Sequence, residues 1–367
     1  MPEIAPHTRL RRSPYYESTL AEGVTGFTPY NRMLLPLGYG DPDKEYWQLI
    51  NGVQLWDVAG ERQIQLRGPD AARLAQILSP RDLSNCVIGQ GKYVPLCNHA
   101  GAIINDPIVL KVAEDTFWLS IADSNILFWA RCVAAERKLT VEIDEPDVSP
   151  LAIQGPKADE VAAALFGDWV RDLKHFWFQD AELDGIALKV ARSGWSKQGG
   201  FELYLMDGSR GDDLWRIVRE AGKPWDIGPG YPNPCERIEG GLLSWGGDTD
   251  DDTNPFEVRL SKFVDLDVPD DTIGIQALRT AKAQGIKRRQ LGVVMDSNGP
   301  EANHGCWYDI HVNGKPVGIM TNGTWSRRLE CMIGYALISK DCQPGDAVHV
   351  IKDGAARAGE LRRLPFV

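Results

Sequence analysis

Two different hydrophobic patterns divide this chain of 367 residues. Up to about residue 285, strand-like runs alternate with amphipathic helix-like runs; residues 63–67, for example, alternate polar and apolar side chains before a helical pattern begins. Beyond that point, dipeptides typical of tight hairpin turns adjoin strand-like runs: Asn313-Gly314, Asn322-Gly323 and Asp353-Gly354. The sequence therefore predicts an α+β region over residues 1–285 and a small C-terminal β-barrel or sandwich over residues 286–367.

Within the α+β region, the predicted elements form a central unit over about 58–146 and a second group after it. In the central unit, the predicted strands are 63–67, 102–112, 116–121 and 140–143, and the predicted helices begin near residue 70 and span 124–138. In the second group, the predicted strands are 151–154, 187–193 and 200–205, and the predicted helices are 158–166, 212–221 and 234–245.

The charge balance narrows the class of partner. Forty Lys and Arg residues against 51 Asp and Glu residues give a formal net charge of −11, which opposes binding to a nucleic-acid backbone or an anionic membrane. No apolar run approaches the roughly 18 residues that a membrane-spanning helix needs. The amino-terminal residues lack the apolar core of a secretory signal. We therefore expect a cytoplasmic protein that acts on a small molecule, with no nucleic acid and no membrane.

Common catalytic and metal-binding motifs are missing from the sequence. The chain contains no phosphate loop, no complete dinucleotide fingerprint and no Gly-x-Ser-x-Gly elbow. Its six histidines never pair at the three- or four-residue ligand spacing, and its seven cysteines never form Cys-x-x-Cys. We therefore expect no metal, and chemistry that rests on carboxylates, aromatic side chains and a bound cofactor.

The segment 199–205 places a carboxylate beside a phenol. The strand period of two puts Glu202 and Tyr204 on the same face. A carboxylate in this position can accept from a flat ring that presents two adjacent N–H donors. The solvated face of a half-buried strand explains the same pattern. The two glycines that precede the strand favour the close approach of a ligand.

Asn105-Asp106 interrupts an otherwise apolar strand. A polar pair in such a run needs hydrogen-bond partners or a function. Two hypotheses stay open from the residues alone: a bulge or turn pinned by Pro107, and a catalytic acid.

The aromatic content is a further feature, because 12 tryptophans exceed the ten phenylalanines and the ten tyrosines. Most of these rings are expected in the core, and a subset can form a cage around a cationic ligand, since ring faces attract onium groups.

The ordered motifs of the chain resemble a known family. Six segments are similar to the T protein of glycine cleavage, a folate-dependent aminomethyltransferase: Leu55-Trp56-Asp57-Val58, 101–111, Ala152-Ile153-Gln154-Gly155-Pro156, 192–205, Glu236-Arg237-Ile238-Glu239-Gly240-Gly241-Leu242 and Thr253-Asn254-Pro255-Phe256-Glu257. Four segments look like the dimethylsulfoniopropionate demethylase branch of that family: Arg11-Arg12-Ser13-Pro14, Asn31-Arg32-Met33-Leu34-Leu35-Pro36, Ile121-Ala122-Asp123-Ser124 and 191–200. The resemblance covers nearly the whole chain.

The resemblance implies an architecture of three domains around a tetrahydrofolate site. Two interleaved α+β units, one of them ferredoxin-like, would precede a C-terminal β-barrel or jelly roll. By the match of motifs, Glu202 would hold the pterin, and Asp106 would lie at the reacting nitrogen as the catalytic residue. Tyr93 and Trp195 would also line the folate site, although a core tyrosine explains Tyr93 equally well.

The resemblance also implies an activity, the transfer of a methyl group from dimethylsulfoniopropionate to tetrahydrofolate. Trp195 is the candidate wall against the sulfonium, with Tyr204 second. Lys197 or Arg32 is the candidate partner of the donor carboxylate, and a solvated surface charge is the favoured interpretation of Arg32.

Three alternatives to that activity stay open: the aminomethyltransferase of glycine cleavage, another folate-dependent O- or N-demethylase, and a non-enzymatic folate-binding iron–sulfur maturation factor. The sequence argues against the first, because Asn105 and the run Trp195-Ser196-Lys197-Gln198 differ from the T-protein pattern. The sequence does not decide whether the chain forms a homodimer.

Overall fold

A computed structural model describes residues 7–297, 299–300 and 307–367. The first six residues, on which part of the expectation about a secretory signal rests, lie outside this range. The fold divides into two compact units that alternate along the chain. The first unit contains the described residues up to 74, with 85–92 and 107–232; the second contains 75–84, 93–106 and the described residues from 233 onward. The predicted domain boundary near residue 286 stays a prediction.

The described chain forms α-helices and β-strands that we number in sequence order. The helices are α1 (Tyr16–Ala21), α2 (Pro42–Asn51), α3 (Ala71–Leu78), α4 (Ile126–Glu136), α5 (Ala158–Phe166), α6 (Gly211–Ala221), α7 (Pro234–Glu239) and α8 (Ile275–Gln284). The strands up to residue 230 are β1 (Gly26–Tyr30), β2 (Met33–Gly38), β3 (Gln54–Asp57), β4 (Gln63–Arg67), β5 (Gly91–Tyr93), β6 (Leu96–Cys97), β7 (Ile103–Asn105), β8 (Ile108–Ala113), β9 (Thr116–Ser120), β10 (Glu142–Asp144), β11 (Ser149–Gln154), β12 (Phe178–Leu183), β13 (Ile186–Ala191), β14 (Gly200–Leu205) and β15 (Gly228–Gly230). The later strands are β16 (Arg288–Met295), β17 (Tyr308–Val312), β18 (Lys315–Ser326), β19 (Cys331–Ser339), β20 (Ala347–Lys352) and β21 (Ala355–Arg362).

The first unit is built on a six-stranded sheet in the order β12-β13-β14-β11-β3-β15. All of its neighbouring strands run antiparallel except the β3–β15 pair. Ile153 of β11 and Phe201 of β14 are fully buried and pack with Val161 of α5 and Leu214 of α6. Helix α5 and strand β14 begin and end at the predicted residues, because apolar periodicity defines both elements clearly.

A five-stranded sheet in the order β10-β4-β9-β8-β5 holds most of the predicted central unit. The predicted strand 102–112 is wrong as a single element, because β7 ends at Asn105 and β8 begins at Ile108. Pro107 has no backbone N–H to give to a strand ladder, so the chain leaves the sheet between these residues. Asp106 therefore lies in a break between two strands.

The second unit contains a closed barrel in the order β16-β19-β18-β17-β20-β21. Two of the predicted hairpins are confirmed: Asn313-Gly314 joins β17 to β18, and Asp353-Gly354 joins β20 to β21. In both turns the Asn or Asp has a positive φ, 51° and 52°, and a glycine follows it, as tight hairpin turns require.

Two predictions for the second unit are wrong. Asn322-Gly323 lies inside β18, at a register shift, because the Asn322 amide donates to Gly247 O at 2.9 Å and to Asp248 Oδ1 at 2.7 Å. The predicted helix 234–245 ends at Glu239, where Gly240 and Gly241 follow and Gly241 has a φ of 75°.

Among the described helices, none combines the length and the apolar character that crossing a bilayer requires.

Candidate active site

Glu202 and Tyr204 lie in the interior of the first unit. Strand β14 is flanked by β11 and β13, and all six of its residues are buried. Glu202 is 3% exposed and Tyr204 is 1% exposed. The structure therefore excludes the hypothesis that these side chains form the solvated face of a strand. A buried carboxylate needs partners, and their identity defines what the site can bind.

The Glu202 carboxylate is bonded on one oxygen. Ser193 Oγ and the Tyr204 hydroxyl both donate to Oε2, the latter at 3.1 Å. Neither of these two bonds engages Oε1. Burial raises the pKa of Glu202, and the bonds from Ser193 and Tyr204 oppose that effect. A ligand that brings N–H donors to Oε1 would complete the set of partners that favours the ionised carboxylate.

Tyr204 keeps its proton in this setting. Burial raises the pKa of Tyr204 well above its ordinary value, and the charges of Glu202 and Glu61 add to the effect. Its ring lies 6.3 Å from that of Trp118, and Lys189 is its cross-strand partner on β13. Tyr204 is therefore a fixed hydrogen-bond donor to Glu202.

The loop 193–199 lies between β13 and β14 and carries two of the predicted donor-binding residues. Trp195 is half-buried and Lys197 is exposed. Burial lowers the pKa of His175, and the positive charges of Arg192 and Lys197 lower it further. Lys197 therefore contributes positive charge near His175. Arg32 lies elsewhere, in the left-handed turn between β1 and β2, where its guanidinium donates to Asn125 Oδ1 at 3.2 Å. Trp195 and Lys197 therefore lie in the same loop, and Arg32 lies in a different turn.

Tyr93 and Asp106 form a pair in the second unit. The Tyr93 hydroxyl donates to Asp106 Oδ2 at 2.8 Å, and the Tyr93 ring packs edge-on against Phe263 at 4.9 Å. The pKa of Asp106 is raised to about 7: burial is the main cause, the bond from Tyr93 opposes it, and the charge of Asp248 adds to it. This carboxyl can therefore take up or release a proton near neutral pH, as a general acid–base group must.

Asp248 is a residue whose environment the sequence analysis missed. It begins the acidic run 248–253, yet it is fully buried and accepts from Arg237 Nη1 at 2.5 Å and from Ser244 N at 2.7 Å. No local pattern signals these contacts, because a run of acidic residues usually indicates a solvated loop. Ser193 was missed for a different reason: a serine beside a glycine has many ordinary roles.

The two clusters are suited to accepting hydrogen bonds at Glu202 and to exchanging a proton at Asp106. Among the residues that the structure describes, no group of three or more His, Cys, Asp or Glu side chains is placed to hold a metal ion.

Asp106→Asn is expected to raise the thermal midpoint at pH 8. The native carboxyl has a pKa of about 7 against an ordinary value of 3.8, so the folded state binds the proton more tightly than the unfolded state. Its contribution to stability is therefore lost as pH rises from about 4 to about 7, and an amide removes that loss. Each kcal/mol regained should raise the midpoint by roughly 1–2 °C in a chain of this length. Calorimetry at pH 8 and pH 5 tests this: a gain that is no larger at pH 8 would contradict the assigned pKa.

Comparison with known protein families shows the class of protein to which the chain belongs. The model of the GCVT N-terminal domain matches residues 16–268, and the model of the glycine cleavage T-protein C-terminal barrel domain matches residues 288–367. The chain therefore belongs to the glycine cleavage T-protein family and is an enzyme of folate-dependent one-carbon transfer.

Individual relatives refine the comparison. The chain is 39% identical to the dimethylsulfoniopropionate demethylase of Ruegeria pomeroyi over 95% of each chain. It is 32% identical to the aminomethyltransferase of Caldanaerobacter subterraneus over 93% of this chain and 92% of the relative. The crystal structure of aminomethyltransferase T from Bartonella henselae matches 98% of each chain with a TM-score of 0.84 at 23% identity, which confirms the predicted α+β fold class with its C-terminal barrel.

Proposed function

We propose that this protein transfers a methyl group from dimethylsulfoniopropionate to tetrahydrofolate, giving methylthiopropionate and 5-methyltetrahydrofolate. The observation that carries the proposal is the 39% identity to the Ruegeria pomeroyi demethylase over 95% of both chains. The run Trp195-Ser196-Lys197-Gln198 supports the proposal, because the sequence of this loop differs from the T-protein pattern.

The proposed roles of the carboxylates follow from their protonation and bonding. Glu202 Oε1 would accept from the pterin N–H groups, since its other oxygen already holds two donors. Asp106, with a pKa of about 7, would accept the proton that leaves the folate nitrogen as the methyl group arrives. Tyr93 would orient Asp106 through its hydrogen bond of 2.8 Å. Tetrahydrofolate, when bound, supplies the nitrogen that takes the methyl group.

The donor brings its own leaving group, so no nucleophilic side chain is needed. The carbon–sulfur bond breaks with its electron pair on sulfur, and the positive sulfonium becomes a neutral thioether. The methyl carbon forms its new bond to nitrogen in line with the departing sulfur. Catalysis is then mainly alignment of two bound molecules, an effect that can supply ~7–11 kcal/mol.

Donor recognition is proposed to use Trp195 against the sulfonium, with Tyr204 second. Lys197 is proposed for the donor carboxylate, because it lies in the same loop and is exposed. The contact of Arg32 with Asn125 supports the interpretation of Arg32 as a surface charge.

Trp195→Leu is expected to raise the dissociation constant of dimethylsulfoniopropionate roughly 30-fold, because a desolvated cation–aromatic contact is worth ~2 kcal/mol. Folate affinity should be nearly unchanged. Calorimetry measures both constants, and Trp169→Leu is a matched control, since Trp169 is also half-buried but packs on Phe166.

A second ligand distinguishes the effect of the donor's positive charge from the effect of its shape. Methylthiopropionate lacks the positive charge of the donor, so its affinity should change much less than 30-fold in Trp195→Leu. Equal losses for both ligands, or an undiminished affinity for the sulfonium, would remove Trp195 from the donor site without affecting the folate assignment.

Aminomethyl transfer is the second candidate function, and the 32% identity to an aminomethyltransferase over 93% of the chain favours it. It requires a different donor, an aminomethyl group on a lipoyl carrier, and the two functions are therefore separated by the donor that supports turnover.

A further inference from the structure

The loop 193–199 is attached to the sheet by one buried amide. Gln154 is the last residue of β11 and is fully buried. Its Nε2 donates to Ser193 O at 3.3 Å, and its Oε1 accepts from Ser196 Oγ at 2.8 Å. Both polar ends of one side chain are therefore bonded to the loop that carries Trp195.

Glycines at the two ends of the loop make room for this amide. A Cβ atom at Gly194 or at Gly200 would overlap the Gln154 side chain, and at Gly200 it would also overlap Ile153 O. Both glycines have positive φ, 150° and 154°, a region that side chains disfavour. One further backbone bond, from Gly155 N to Gly199 O at 3.0 Å, ties the far end of the loop to β11. The loop backbone thus lies directly on Gln154.

This attachment connects the two parts of the proposed site in the first unit. Ser193, whose carbonyl accepts from Gln154, donates through its hydroxyl to Glu202. Two residues further along the loop is Trp195. We propose that Gln154 is a positioning residue that fixes loop 193–199 and thereby aligns Trp195 with the methyl donor; this role rests on the proposed function. Gln154 itself touches no reacting atom in this scheme.

Gln154→Met tests the proposal, because methionine keeps the length of the side chain and removes both hydrogen bonds to the loop, along with the bond of 3.2 Å from Nε2 to Ile153 O. The KM for dimethylsulfoniopropionate at saturating folate should rise roughly 10-fold, the scale of one to two lost hydrogen bonds. The dissociation constant of folate should change less than about 3-fold, since Tyr204 still donates to Glu202.

Gln54→Met is the matched control for the loss of a buried glutamine. Gln54 is the cross-strand partner of Gln154 and is 2% exposed, but it bonds Glu45 O and the Trp56 ring nitrogen instead of the loop. This variant should lose thermal stability as Gln154→Met does, with an unchanged donor KM. Equal donor KM values for the two variants would overturn the proposal.

Ser196→Ala provides a second variant, which removes the bond to Gln154 Oε1 and also the bond of 3.3 Å that Gln198 N donates to Ser196 Oγ. In a double-mutant cycle on donor KM, the effects of Ser196→Ala and Gln154→Met should be non-additive, since both variants remove the bond between Ser196 Oγ and Gln154 Oε1. If Gln154→Met does not fold, Ser196→Ala decides alone: a donor KM equal to that of the wild type would overturn the proposal.

A readout without the donor separates this inference from the proposed function. Lys197 is exposed in the loop, so Gln154→Met should be cut by trypsin after Lys197 several times faster than the wild type or Gln54→Met. Equal rates of cleavage would show that Gln154 does not fix the loop. If cleavage is faster but the protein shows no turnover of dimethylsulfoniopropionate, both the alignment of this donor and the proposed function are refuted. If the Gln154→Met enzyme is active and has a normal donor KM, only the inference about Gln154 is refuted.

Discussion

Replacing Asp106 with Asn is expected to lower turnover about 100-fold, the scale of one general acid–base group, without loss of folding. The amide keeps the shape of the carboxyl and can still accept from the Tyr93 hydroxyl. It cannot accept the proton that methyl transfer releases. The wild-type turnover should rise with pH through about 7, where Asp106 ionises, and the rate of the variant should not show this rise.

Asp57→Asn is the control for Asp106→Asn, because Asp57 is also a buried aspartate with a raised pKa, about 6, caused mainly by burial. Its partners are Ser13 Oγ at 2.5 Å and Ala59 N at 3.1 Å, which have no proposed part in the chemistry. The control should keep turnover within about 3-fold of the wild type. Normal turnover of Asp106→Asn at saturating folate would refute the catalytic role.

Replacing Glu202 with Gln is expected to weaken tetrahydrofolate binding by roughly 10- to 150-fold, the equivalent of ~1.5–3 kcal/mol for a hydrogen bond to a charged group. Ser193 and Tyr204 both donate to Oε2, so the single oxygen of glutamine should turn toward them. Its amide nitrogen would then face the N–H donors of the pterin, and donor would meet donor. Donor affinity should change far less than folate affinity.

Glu45→Gln is the control for Glu202→Gln. Glu45 is also buried, and its Oε1 accepts from Tyr39 N and Asp41 N. Its replacement should cost stability and leave folate affinity intact. Because burial raises the pKa of Glu202, folate affinity of the wild type should also fall as pH is lowered through that pKa. Folate affinity that is equal in Glu202→Gln and the wild type would remove Glu202 from the site.

The sequence predicted the parts of the site that depend on local periodicity. The period of two placed Glu202 and Tyr204 on one face, and the structure joins them by a bond of 3.1 Å. The same period could not tell whether that face was solvated, because burial depends on β11 and β13 on either side. Contacts between distant residues escaped prediction for the same reason, as in the pairing of Asp248 with Arg237.

Turn signals show how tertiary contacts override local preference. Asn313-Gly314 forms the hairpin that its residues favour, whereas Asn322-Gly323 lies inside a strand because Asn322 bonds Asp248. The break at Asp106 was open to two hypotheses, a turn and a catalytic acid. The structure shows the break and a carboxyl with a pKa of about 7 together, so the two hypotheses do not exclude each other.

The measurement that tests the proposed function most directly is product formation from a panel of methyl donors with tetrahydrofolate. The panel contains dimethylsulfoniopropionate, a quaternary ammonium analogue, an aryl methyl ether and an aminomethyl-lipoyl carrier. The proposal predicts equal amounts of methylthiopropionate and 5-methyltetrahydrofolate from the sulfonium, only in the presence of folate, and much slower reaction with the other donors. No product from dimethylsulfoniopropionate, together with folate-dependent turnover of the lipoyl carrier or the aryl ether, would contradict it.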